Sequence, residues 1–126
     1  MSFKKCSRLA GITMDPHKVN VIGIVTTWSL KSQLLIKRFN KTRSFFEKRV
    51  HFHLVFVDKT AAMYETWLDT YKPVLSTYHI PKWKLCGKTV VRVPGFVIIN
   101  SSGKICYGGS GLVTSNFLYH KIKECL

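Results

Sequence analysis

Four sets of residues in this 126-residue chain could do chemistry: four cysteines, a pair of histidines, two serines that follow a tryptophan, and an excess of lysine and arginine. The cysteines, Cys6, Cys86, Cys106 and Cys125, show no C-x-x-C and no Cys/His spacing suited to zinc. They read as free thiols in a reducing compartment, with Cys86 and Cys106 as small buried hydrophobes. A structural disulfide stays open, because separation in sequence does not report separation in space. His51 and His53 share one face of a strand, which sets two imidazoles side by side as in a metal site. No third ligand lies near them in sequence, so no metal is expected and the pair reads as a surface or edge-strand face. A Ser-His-Asp hydrolase is not expected either, since the chain has no G-x-S-x-G and no obvious base follows the serine after the first strand.

The elements that must position these groups follow from hydrophobic period. Val19–Thr27 is an apolar, β-branched run of the kind a buried central strand has. From Ser29 to Arg49 the spacing of Leu30, Leu34, Leu35, Phe39, Phe45 and Phe46 is helical, with Lys31, Lys37, Arg38, Lys41, Arg43 and Lys48 filling the remainder. His51–Asp58 reads as a second strand, parallel to the first through a βαβ crossover. Thr60–Tyr71 has helix-forming content, with Pro73 as its stop. Between Lys72 and Lys88 the pattern is irregular, and Trp83–Arg92 suits a short helix or an irregular crossing. Phe96–Asn100, the turn Ser101-Ser102-Gly103 and Lys104–Tyr107 form a hairpin. Leu112–Cys125 closes the chain as a helix. Residues 1–17 read as an N-terminal extension and 18–126 as one domain.

That order resembles the thioredoxin fold, an α/β architecture with a central mixed β-sheet flanked by helices. Trp28-Ser29-Leu30-Lys31-Ser32 stands where thioredoxin-like proteins have W-C-x-x-C. Val93-Pro94-Gly95-Phe96 precedes the hairpin, where the family has its cis-proline, and Gly108-Gly109 follows, where glycine is common. With the insert around the second helix and His79-Ile80-Pro81-Lys82-Trp83, the chain looks most like the tryparedoxin and nucleoredoxin branch over about residues 18 to 125. The resemblance makes Ser29 and Ser32 the positions of the catalytic cysteines. A cysteine there is a nucleophile because the helix N-terminus stabilises its thiolate; a serine hydroxyl is too weak an acid for that effect and forms no disulfide. Two origins fit: natural loss of the dithiol, with Ser29 as a helix N-cap, or an engineered double Cys-to-Ser replacement in a parent oxidoreductase. The resemblance also implies a peptide groove in which Val93, before Pro94, offers backbone N–H and C=O to an extended partner. Trp28, at the end of a buried strand, reads first as packing, although in the family it flanks the active-site surface.

Charge and composition bound the partners. Of the residues, 46% are hydrophobic and 13% aromatic, enough to bury a core, while a net charge of +14 asks for an acidic partner. The expected partner is a protein or peptide, acidic in character, contacting the basic surface of Lys31, Lys37, Arg38 and Lys41. Nucleic acid is the alternative. No cofactor is expected, and no apolar run approaches the roughly 18 residues of a membrane span. Without an apolar leader, the expected location is intracellular, in the cytoplasm.

Overall fold

The computed structural model describes residues 11–85, 88–89 and 92–126. In chain order the elements are β1 (Val19–Val25), α1 (Leu30–Arg43), a 3-10 turn (Glu47–Arg49), β2 (Val50–Phe56), α2 (Ala61–Tyr71), β3 (Ser76–His79), β4 (Lys84–Leu85), β5 (Lys88–Thr89), β6 (Gly95–Ile99), β7 (Ile105–Ser110) and α3 (Ser115–Cys125). Five strands form one sheet in the order β3-β2-β1-β6-β7. β1 runs parallel to β2, as the crossover requires, and β2 parallel to β3. β6 returns antiparallel to β1 and pairs with β7 as the hairpin. The mixed sheet flanked by helices is the architecture expected of the sequence.

Alternation along the strands divides the core in two. Val21, Phe52, Leu54, Phe56, Phe96 and Ile98 face the helices and pack with Leu35 and Phe39 of α1, Trp67 of α2, and Leu118 and Ile122 of α3. The other face carries Ile22, Ile24, Val55, Val97 and Ile99, covered by Trp83 and by Ile12 and Met14. Gly23 is what lets α1 lie so close to the sheet. A β-carbon there would come within 2.8 Å of Phe39 and 3.2 Å of Leu54.

Three expectations need correction. The helix foreseen to Arg49 ends at Arg43, where the Ser44 hydroxyl donates back to Lys41 O and i→i+3 bonds tighten the chain. Residues 76–79 form an edge strand that the irregular pattern of 72–88 concealed, because all four of its residues are half-buried and it has no apolar run. The crossing at Trp83–Arg92 holds two short antiparallel strands, β4 and β5.

The thiols also differ from expectation. Cys106, on β7, is joined by a disulfide to Cys125, at the end of α3, with Cα atoms 5.9 Å apart. These two are therefore not free, and the bond ties the last helix to the outer strand. Cys6 and Cys86 lie outside the described residues.

Candidate functional site

β1 delivers the chain to the first turn of α1, and side chains hold that turn. Ser29 is the N-cap, extended at φ −80° and ψ 124°, and its Oγ accepts from the Ser32 N–H at 3.2 Å. Ser32 is fully buried, and its Oγ accepts in turn from the Thr26 N–H at 3.1 Å. The two serines thus act on backbone, one capping the helix and one tying it to the end of β1. Among the described residues, neither has a basic side chain as hydrogen-bond partner.

Sequence reasoning passed over the residues that brace this turn. The Gln33 amide donates to Thr26 O and Thr27 O, both at 3.1 Å, and its oxygen accepts from Trp67 Nε1–H at 2.9 Å. The buried Asp58 carboxylate, just past β2, accepts from the Thr27 N–H at 3.1 Å and the Thr27 hydroxyl at 2.7 Å. His79 Nε2–H donates to Asp58 O at 2.7 Å and its ring stacks on Tyr64. The only signal in the sequence is position: Asp58 follows an apolar strand, and carboxyl ends of parallel strands are where α/β sheets place their sites.

Above this braced turn Trp28 stands 72% exposed, so it is not packing as first read. Its ring borders an open groove of about 520 Å³, whose other wall is the α2 face of Met63, Thr66, Trp67, Thr70 and Tyr71. That lining carries no charge. The Val93–Pro94 bond is cis; Pro94 is buried, Val93 is half-buried, and Pro94 O accepts from the Gly111 N–H at 2.7 Å. Ile24 pairs with Gly95, so carrying the register one step further sets Pro94 beside Val25, at the end of β1 that leads to Trp28.

The basic surface divides. Lys31, Lys37 and Lys41 are exposed on α1, a helix with no acidic residue. Arg38 is half-buried and donates to Val113 O at 2.8 Å, bracing the approach to α3.

His51 and His53 lie on the face without helices, at the opposite end of β2. The expected surface or edge face fails for His53, which is 0% exposed with β3 on the outer side of β2, while the His51 side chain stays 32% exposed. The His53 ring stacks on His51 with centroids 4.1 Å apart. Asn20 Nδ2 donates to Asp15 O and Lys18 O, which orients its amide so that Oδ1 accepts from His53 Nε2–H at 2.8 Å. Tyr78 O–H then donates to Nδ1 at 3.1 Å, which makes the ring neutral. Burial, reinforced by His51, lowers the His53 pKa to about 3, with Asp15 opposing. Burial also raises the Tyr78 phenol, keeping it a donor. Among the described residues no group of three His, Cys, Asp or Glu converges to hold a metal ion.

No family model and no curated protein matches this chain. Solved structures do. A thioredoxin-like superfamily protein superposes with TM-score 0.76 at 15% identity, covering 98% of this chain and 96% of the other. The fold is thioredoxin-like. A DsbF homologue from Corynebacterium diphtheriae follows, with TM-score 0.75 at 13% identity over 86% of this chain and 73% of its own. A thiol-disulfide isomerase from Corynebacterium glutamicum gives 0.72 at 11% identity over 100% and 94%. Within the thioredoxin-like fold, the turn Trp28–Ser32 and the loop Val93–Pro94 occupy neighbouring ends of β1 and β6.

Proposed function

We propose that this chain is a thioredoxin-fold binding domain that takes a protein or peptide segment in the groove between Trp28 and α2, without thiol exchange at Ser29 and Ser32. One observation carries this reading: the groove is open and aromatic, while the hydroxyls of Ser29 and Ser32, in the turn that follows Trp28, both accept from backbone N–H groups. The Val93 backbone would pair with the extended partner, and Lys31, Lys37 and Lys41 would favour an acidic one. On this reading the motifs Trp28–Ser32 and His79–Trp83 favour the tryparedoxin and nucleoredoxin branch.

Insulin reduction with dithiothreitol tests the chemistry. The chain as written should show no turnover above the reagent alone, and S29C/S32C should gain it; catalysis by the unaltered chain would overturn the reading. Binding is tested with a fluorescein-labelled acidic peptide carrying phenylalanine. W28A should weaken it about tenfold or more, as loss of an aromatic anchor does.

A second reading is favoured by the solved structures that share this fold, which include a thiol-disulfide isomerase. On that reading the parent protein is a thiol-disulfide oxidoreductase and the serines replace its cysteines. The codons for residues 29 and 32 in the encoding gene separate the two.

A further inference from the structure

At the amino end of the parallel strands, far along the sheet from Trp28, three side chains from three segments line up. Ser76 Oγ, on the edge strand β3, lies 2.7 Å from His51 Nε2 on β2. The other nitrogen of the same ring, Nδ1, lies 3.6 Å from Asp15 Oδ2, in the segment before β1. Nucleophile, base and orienting carboxylate therefore stand in the order of an acyl-transfer triad, and such constellations are recognised by geometry rather than by sequence order. The contact to Asp15 is long for a hydrogen bond, as is common before substrate binds.

The surroundings suit the assignment. His53, neutral and stacked on His51, brings no positive charge against the base. All three groups line one cavity of about 240 Å³, together with Lys18 and Arg43. That volume admits a small acyl group, and Arg43 is the cation at hand for a developing oxyanion. Lys18 also holds the Asp15 carboxylate, at 3.2 Å.

We propose that Ser76, His51 and Asp15 form a hydrolytic site for small carboxylic esters, independent of the Trp28 groove. Ser76 Oγ attacks the ester carbonyl carbon and passes its proton to His51 Nε2, while Asp15 faces the imidazolium at Nδ1. Collapse of the tetrahedral adduct breaks the bond to the leaving oxygen, which takes the proton from His51. Water then attacks the acyl-serine with His51 again as base, releasing the carboxylic acid and restoring Ser76. No electrons are gained or lost.

The test uses the full chain and p-nitrophenyl acetate, followed by release of p-nitrophenolate and by mass spectrometry of the quenched protein. One acetyl group should appear on Ser76 and be removed by neutral hydroxylamine, which cleaves esters and leaves acetyl-lysine intact. S76A and H51Q should lower the release rate about 100-fold or more. D15N, a positioning change, should lower kcat with KM little altered and shift the pH-rate profile. The labelling of the unaltered chain does not depend on any variant folding. Acetylation confined to lysine, or release that S76A leaves unchanged in a variant of parental circular dichroism, overturns the assignment.

Discussion

His53 illustrates how one side chain acquires its properties from four neighbours. Asn20, held by two backbone carbonyls, demands a donor from it; Tyr78 supplies one to its other nitrogen; His51 stacks on its face, and Asp15 lies beyond. With the ring shut off from water, an added positive charge is penalised by desolvation and by His51 beside it. The consequence is a pH-dependent stability of definite sign. Above about pH 6.5 neither the folded nor the unfolded ring is protonated; between about 6.5 and about 3 the unfolded chain binds a proton that the folded one refuses. Stability must therefore fall as pH falls through that window. Between pH 7 and pH 4.5 the contribution of His53 to that loss should be on the order of 3 kcal/mol, at about 1.4 kcal/mol for each pH unit below the unfolded value. Urea denaturation at the two pH values measures it. H53Q should show a smaller loss than the parent, and an equal loss would refute the assignment. That the two histidines share a face was legible from their spacing of two. That His53 is interior was not, because it depends on β3 and on residues 12–15 closing over it.

At the scale of an element, the first turn of α1 separates two roles that identical residue types conceal. Ser29 caps an end that is partly open to solvent, so S29A should cost about 1 kcal/mol. Ser32 accepts from a backbone N–H where both partners are buried. S32A strands that donor and should cost more, about 1–3 kcal/mol. Urea unfolding of the two variants should rank them in this order. If S29A were the more damaging, the tie from Ser32 to Thr26 would not be holding the turn. A thiol is a weak acceptor, so reduced S29C/S32C should be less stable than the parent for the same reason. Elements with a strong period were legible before the fold was known: β1, the start of α1, β2 and the hairpin. What escaped depends on contacts distant in sequence. β3 is a strand only because β2 offers it a ladder, and Cys106 meets Cys125 across 19 residues because the start of β7 and the end of α3 come together.

For the whole molecule, the net charge of +14 and the groove, whose lining carries no charge, make separable contributions to binding. Charges on α1 act over a Debye length of about 8 Å at physiological salt, which raises encounter rates without fixing a partner's register. The groove acts only on contact. With the acidic, phenylalanine-bearing peptide as probe, raising the salt concentration should therefore slow association while changing dissociation little. K37E/K41E should reduce both the affinity and its dependence on salt. W28A should lower affinity mainly through faster dissociation and leave the salt dependence as it was, because no charge is removed. Stopped-flow fluorescence at several ionic strengths resolves the two. A nucleic acid that bound through phosphates would behave otherwise: its affinity would fall steeply with the logarithm of salt concentration, and W28A would matter only if bases stacked on the ring. Should W28A have no effect on the peptide while K37E/K41E abolishes binding, the basic helix alone would be the interface and the groove would have to be given up as the peptide's seat.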